Sequence, residues 1–256
     1  MRLLSFLLVL SVAPSAWAAP TTCSAPPCQL NAGGGGGNAL ELTVGGTGQI
    51  QVIRGTYRQF YSEDGSAPMV GNNSNIDNGV FLNVNDQCLI GPRFGTFDYV
   101  PDAQTTPTDI AKLQEWSPGP MSGTWSGTSG AITQTLSGKC PAVTGPTYSA
   151  KTTYTYDVAD DFVHVKMEVS APGGTAFKLY HAFDTNINGT GGDFGPTYFS
   201  NNTLVAKSLN FYAGYRFTPM TSGPMRTHYY AGTNMCMFAP WGGQCPTSCS
   251  RTAPPT

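Results

Sequence analysis

Residues 154–170 have the sequence YTYDVADDFVHVKMEVS, in which apolar and polar side chains alternate on both sides of an acidic pair. In a β-strand every second side chain lies on the same face, so this period of two predicts two strands. The second strand would place four apolar residues inward, namely Val163, Val165, Met167 and Val169. Its polar residues, His164, Lys166, Glu168 and Ser170, would face water. The stretch therefore predicts an antiparallel hairpin that turns at residues 160–161 and has one buried and one solvated face.

Short stretches of the same kind occur along most of the chain. They lie at residues 40–44, 50–61, 79–84, 96–100, 131–136, 177–183, 209–218 and 235–239. The chain also contains 31 glycines and 20 prolines, residue types that favour turns between strands. The regular alternation of strands and helices that characterises α/β proteins is absent. We predict an all-β fold, an antiparallel β-sandwich, with a closed β-barrel as the alternative.

One short helix is expected at residues 106–116. Thr106 can cap its first turn, and Ile110, Leu113 and Trp116 recur at steps of three residues, which places them on one side of a helix. Residues 117–120, Ser-Pro-Gly-Pro, would end it after about three turns.

The termini predict how the chain is divided. Residues 1–18 have a basic start, an apolar run and an Ala-x-Ala end, a pattern typical of a cleaved secretory signal peptide. Residues 19–38, which end in a run of glycines, predict a flexible leader. Residues 39–249 then form a single β-sandwich domain, and residues 250–256 form a polar tail. We expect a secreted or extracellular protein, periplasmic or cell-surface included, with no membrane span in the mature chain.

Charge excludes one class of partner. Only 11% of the residues are charged, the formal net charge is −2, and no run of lysine or arginine occurs. Nucleic-acid binding requires a basic surface that neutralises phosphates, so we expect no nucleic-acid partner. The expected partner is an extracellular glycan or another protein.

The cysteines favour disulfide bonds over a metal site. There are seven: Cys23, Cys28, Cys88, Cys140, Cys236, Cys245 and Cys249. Paired Cys-x2-Cys motifs, which are typical of zinc sites, are missing. Cys23 and Cys28 can close a small loop, Cys88 and Cys140 are the candidates for a long-range bond, and the odd count leaves one thiol over.

Residues 184–189, Asp-Thr-Asn-Ile-Asn-Gly, match the first half of a calcium-binding loop. Asp184, Asn186 and Asn188 place side-chain oxygens at alternate positions, and Asp193 could add a second carboxylate. The twelfth position of the loop is Gly195, where an EF-hand has glutamate. The alternative is an asparagine-rich turn whose side chains bond their own backbone. Calcium is the only cofactor that the sequence predicts.

Candidate catalytic residues are few. His181, Asp184, Asp193 and His228 are the best of them, and a buried structural role is the alternative for His181. No Gly-x-Ser-x-Gly motif or His-Glu-x-x-His motif is present. Paired carboxylates of a glycoside hydrolase meet in space rather than in sequence, so a secreted carbohydrate-active or other hydrolytic enzyme is the second hypothesis.

Aromatic residues suggest a ligand platform. Trp125, Tyr229, Tyr230 and Trp241 could stack on sugar rings if they face outward, and the alternative is that they form the core. Our leading hypothesis is a secreted or cell-surface β-sandwich that acts by binding or by structure, with carbohydrate binding or surface adhesion and stabilisation by calcium as its expected forms.

Overall fold

The computed structural model describes residues 21–32, 39–55, 57–60, 78–85, 88–92, 113–140, 144–183, 198–200, 203–208 and 211–216. Its first eight strands are β1 Thr21–Cys23, β2 Cys28–Leu30, β3 Leu40–Val44, β4 Ile50–Arg54, β5 Tyr57–Arg58, β6 Asn78–Val84, β7 Cys88–Gly91 and β8 Leu113–Glu115. The other eight are β9 Ser117–Trp125, β10 Ser129–Lys139, β11 Thr147–Asp157, β12 His164–Ser170, β13 Phe177–Phe183, β14 Tyr198–Ser200, β15 Thr203–Ser208 and β16 Phe211–Arg216. These ranges contain no helix.

The largest sheet has five antiparallel strands in the order β1-β9-β10-β11-β12, and we call it the five-stranded sheet. A second sheet, β2-β3-β4-β5, is the N-terminal sheet, and a third, β13-β6-β7-β8, is the central sheet. Strands β14-β15-β16 form a further antiparallel sheet. The pairing of β7 with β8 is parallel, and the other strand pairs are antiparallel.

Two apolar clusters join the N-terminal sheet and the central sheet to the five-stranded sheet. One packs the N-terminal sheet against the five-stranded sheet and includes Leu42, Val52, Ile132 and Tyr154. The other packs the central sheet against the same five-stranded sheet and includes Leu82, Ile90, Leu136 and Tyr148. The N-terminal and central sheets thus face the five-stranded sheet, and these sheets, as described, do not close on themselves. The predicted antiparallel β-sandwich is therefore confirmed, and the barrel alternative is wrong.

Side-chain amides supply hydrogen bonds where strands lack a neighbour. The Gln51 side chain accepts from the backbone N–H of Phe60 and donates to its carbonyl oxygen, both at 3.0 Å. Asn78 does the same with Ile50, accepting from its N–H at 2.8 Å and donating to its carbonyl oxygen at 2.6 Å. Because all of these groups are buried, each amide replaces the water that the backbone would otherwise need.

The turn between β3 and β4 is fixed from the opposite sheet. Gln134 on β10 donates from Nε2 to the carbonyl oxygens of Gly45, at 2.9 Å, and Gly46, at 2.7 Å. Gly48 in this turn has φ of +89°, and an added Cβ would lie 2.9 Å from Leu136. A glycine is therefore required there both for the backbone angle and for the close packing.

Two of the predicted cysteine pairs are disulfide bonds. Cys23 and Cys28 have a Cα–Cα separation of 5.7 Å, and Cys88 and Cys140 have one of 5.9 Å. The second bond joins the central sheet to the end of β10 across 52 residues. A loop of that length corresponds to about 4 kcal/mol in the chain-entropy model. Cys236, Cys245 and Cys249 lie outside the described residues.

The structure corrects two local predictions. Leu113–Glu115, the end of the predicted helix, is strand β8, and the Ser-Pro-Gly-Pro segment begins strand β9. The steps of three were misleading because Leu113 pairs with Leu89 and Trp116 enters the second core cluster. Residues 21–32 also belong to the fold rather than to a flexible leader, since β2 pairs with β3 and buries Cys28 and Leu30.

Candidate functional site

His181, the predicted catalytic histidine, lies on β13 opposite Val80 of β6. Part of the residue remains accessible, but its Nδ1 atom is buried. Burial lowers the pKa of His181 to about 4, because desolvation disfavours the charged imidazolium. The imidazole is therefore neutral at physiological pH, as expected of a histidine built into a β-sheet.

Eight of the other predicted site residues lie outside the described residues. This holds for the calcium ligands Asp184, Asn186, Asn188 and Asp193, and for His228, Tyr229, Tyr230 and Trp241. Calcium binding and the hydrolytic alternative both stay predictions. Within the described ranges, no three His, Cys, Asp or Glu side chains converge in a way that could hold a metal ion.

Trp125, predicted as part of a ligand platform, is a core residue. Its exposed fraction is 9%, and its ring stacks on Tyr156 with centroids 6.0 Å apart and an angle of 7° between the planes. Both rings belong to the cluster beneath the N-terminal sheet. The prediction that Trp125 faces outward was wrong. The parity of β9 places Trp125 and Met121 inward, and Ser122 and Thr124 outward.

The outward side of the five-stranded sheet carries rows of hydroxyl groups. We call its outward serines and threonines the hydroxyl face: Thr22, Ser117, Ser122, Thr124, Ser129, Thr133, Thr135, Ser137, Thr147, Ser149, Thr153, Thr155 and Ser170. Strand register aligns them in rows across the sheet, one of which consists of Ser117, Ser137, Ser149 and Ser170. Another row joins Ser122, Thr133 and Thr153 and ends at Lys166.

The hydroxyl face has a regular spacing. Neighbouring strands lie about 4.8 Å apart, and successive outward side chains on one strand lie about 6.7 Å apart. The Oγ1 atoms of Thr133 and Thr153 are 3.3 Å apart, within hydrogen-bonding distance. Threonine is branched at Cβ and has few side-chain rotamers, so these hydroxyls are held in place by the strands.

The charged groups of this surface largely compensate one another. Lys166 Nζ lies 3.0 Å from Glu168 Oε1 on the edge strand β12. The hydrogen bond from Lys166, and then its charge, lower the pKa of Glu168, to which Lys151 adds a smaller effect. On β10, the outward residues between Ala131 and Ser137 are uncharged. The interior of the surface is polar and carries one charge, that of Lys151 on β11, which lies between Thr135 and Glu168.

An exposed aromatic ring marks one end of the surface. Phe162, in the turn of the β11–β12 hairpin, is 53% exposed, and its ring contacts His164 edge to face with centroids 4.8 Å apart. His164 Nε2 lies 3.8 Å from Asp160 Oδ2. Asp161 Oδ1 lies 3.1 Å from Arg54 Nη2 of the N-terminal sheet. We call Asp160, Asp161, Phe162 and His164 the hairpin corner.

The hairpin corner and the hydroxyl face lie on the same side of the sheet. Phe162 has the parity of His164 and Lys166, both outward on β12, and its ring contacts His164. The pair Asp160–Asp161 was predicted as a turn, which is confirmed, but Phe162 was not singled out. The sequence feature that could have identified Phe162 is a large apolar residue at an outward position directly after a turn.

No protein-family model, curated protein or solved structure matches the chain. In the described part of the chain, no helix is long and apolar enough to cross a membrane. The two disulfide bonds are compatible with an oxidising, extracytoplasmic environment. Function therefore has to be argued from the surface chemistry just described.

Proposed function

We propose that this is a secreted or cell-surface carbohydrate-binding protein that holds a neutral glycan at the hairpin corner. One observation carries the proposal: the half-exposed ring of Phe162 is flanked by hydrogen-bonding groups on a surface with little net charge. The predicted signal peptide and the two disulfide bonds support an extracellular location.

The chemistry of the hairpin corner suits a sugar. A pyranose ring has an apolar C–H face that can stack on an aromatic ring, and equatorial hydroxyls around its rim. Phe162 offers such a ring, and its contact with His164 limits its freedom before a ligand arrives. The carboxylate of Asp160 accepts hydrogen bonds from hydroxyl groups, and the side chain of His164 can donate one.

Arg54 contributes to the shape of the site. Its guanidinium bonds both the side chain of Asp161 and the backbone carbonyl oxygen of Asp161, at 3.1 and 3.3 Å. These two bonds tie the hairpin turn to β4 of the N-terminal sheet. Both side chains are exposed to water, so the ion pair itself adds little to folding stability. Its role in the proposal is to position the turn that carries Phe162.

A binding screen with substitutions in the hairpin tests the proposal. The wild-type protein should bind at least one neutral glycan of an immobilised panel, and Phe162→Ala should weaken that binding tenfold or more, about 1.4 kcal/mol. Phe162→Tyr keeps the ring and should retain the affinity. Val158→Ala is the matched control, because Val158 is 38% exposed in the same hairpin but has no ring.

Two results would refute the proposal. One is a failure of the wild-type protein to bind any neutral glycan, and the other is equal binding by wild type and Phe162→Ala. The hydrolytic alternative predicts in addition that the bound glycan is cleaved, and that Asp184→Asn abolishes cleavage while leaving binding intact. Analysing the glycan for products after incubation distinguishes the two functions.

A further inference from the structure

The hydroxyl face begins beside the hairpin corner and extends away from it along the strands. His164 of the corner lies in one row with Thr155 of β11, and Ser170 ends β12 in the row of four serines. Six residue steps separate these two rows, or about 20 Å along the strand. A ligand anchored on Phe162 therefore has a continuous polar surface in front of it.

From this arrangement we infer that the hydroxyl face is a second part of the same site, which binds the interior of an extended, neutral polysaccharide chain. The inference rests on the proposed function, because the chain is anchored at the hairpin corner. The hairpin corner alone does not require an extended chain, since one aromatic ring can stack on a single sugar unit.

Hydroxyl groups are suited to a polyol ligand. Each serine or threonine hydroxyl both donates and accepts, as does each hydroxyl of a sugar, so no fixed pattern of donors has to be matched. The side chains of Thr133 and Thr153 lie at the centre of the face on paired positions of β10 and β11. Their branched side chains lose little freedom when a ligand binds, which reduces the entropic cost of the contact.

The charge of the face favours a neutral chain. A polyanion or a polycation would require a large excess of opposite charge, whereas the rows of the face carry two lysines, Lys151 and Lys166, beside Glu168, an excess of one positive charge. The hydroxyl groups of the face are uncharged, so their hydrogen bonds do not select for a charged ligand. One excess positive charge is too little to select a polyanion and disfavours a polycation, so the face suits an uncharged polysaccharide.

The twist of the face argues against a flat, crystalline polysaccharide surface as the ligand. Four strands over four rows cover about 14 by 20 Å between backbone positions. Adjacent strands are rotated by about 20–25°, so the face twists by about 60–75° over four strands. A single flexible chain can follow this twist, but a rigid flat surface would touch only part of it.

A series of oligosaccharides of increasing length tests the inference. The repeating unit is that of the glycan found in the binding screen, and affinity is measured by calorimetry on the full-length secreted protein. The dissociation constant should fall at least tenfold from the disaccharide to an oligomer that spans about 20 Å, and should then level off. If affinity were independent of length, the inference would be overturned while the proposed function stood.

Removing hydroxyls from the face provides a second test. The double variant Thr133→Val, Thr153→Val keeps the branched shape, and hence the strand preference, while losing two hydroxyls. It should bind the disaccharide like wild type but lose most of the gain with length. Thr175→Val, which removes a hydroxyl from the turn before β13 and outside the five-stranded sheet, is the control and should keep the full gain.

The outcomes separate the two claims. Two results together support the proposed function and the role of the hydroxyl face. Phe162→Ala should lose binding at every length, and the double variant should lose only the gain in affinity with length. A double variant with an unchanged gain overturns the role of the hydroxyl face alone. A wild-type protein that binds no neutral glycan of any length overturns the proposed function and the inference with it.

Discussion

Replacing Asn78 by leucine should destabilise the protein strongly, although the two side chains are similar in size. Asn78 is 1% exposed and satisfies both the N–H and the carbonyl oxygen of Ile50, at 2.8 and 2.6 Å. Leucine would leave both backbone groups buried without a partner. Each such group costs about 1–3 kcal/mol, so Asn78→Leu should lower the free energy of unfolding by about 2–6 kcal/mol.

Substituting aspartate at the same position adds a dependence on pH. An ionised carboxylate can accept from the Ile50 N–H but cannot donate to the Ile50 carbonyl oxygen, whereas the protonated form can do both. Burial and this carbonyl therefore raise the pKa of the introduced carboxyl above its value of about 3.9 in the unfolded chain. The folded state then binds more protons, so the stability of Asn78→Asp should fall as pH rises from 4 to 7.

Urea denaturation followed by fluorescence, at pH 4 and pH 7, measures these effects. The matched control is Asn83→Leu on the same strand. Asn83 is 4% exposed, and its Oδ1 atom has no hydrogen-bond partner, so this change should cost less than about 1 kcal/mol. Equal losses at the two positions, or an Asn78→Asp variant whose deficit relative to wild type is the same at both pH values, would refute the assigned bonds.

Three further predictions concern the sheet, a histidine and the predicted calcium loop. His181 has a pKa of about 4 when folded and about 6.5 when unfolded, so the unfolded chain binds more protons between these values. Acidification from pH 7 to 4 should therefore lower the free energy of unfolding by up to about 3 kcal/mol through this histidine. Urea titrations of His181→Gln should show an acid-induced decrease that is smaller by this amount. Ile132→Ala should lower the free energy of unfolding by about 2–5 kcal/mol, because Ile132 is fully buried. Thr133→Ala should lower it by less than about 1 kcal/mol, because Thr133 faces outward. The reverse order would show that the strand parity is wrong. If the loop binds calcium with a dissociation constant of about 10⁻⁴ M, 2 mM calcium should add about 1.8 kcal/mol and raise the melting temperature by several degrees. Asp184→Ala should remove that rise, and superimposable melting curves with calcium and with EDTA would contradict the prediction.

Local patterns in the sequence were sufficient for features that depend on one or two neighbouring strands. The alternation in residues 164–170 matches the observed alternation of exposed and half-buried side chains on β12. The acidic pair at 160–161 lies in the turn, and Cys88 and Cys140 form the long-range bond. Strand periodicity and turn composition act over a few residues, so they are visible in a linear sequence.

Hydrogen bonds to distant parts of the chain decided the rest. Leu113–Glu115 became a strand because its backbone pairs with Leu89–Gly91, and no local propensity reports such a partner. The burial of Trp125 depended on which side of β9 the N-terminal sheet covers. The row of four serines depends on the register of four consecutive strands, β9 to β12, which local propensity does not set. The sequence by itself therefore determined the all-β class and the parity of its hairpin. The candidate binding surface arises from the register between strands and from which face of the five-stranded sheet the other two sheets cover, and both are decided by tertiary packing.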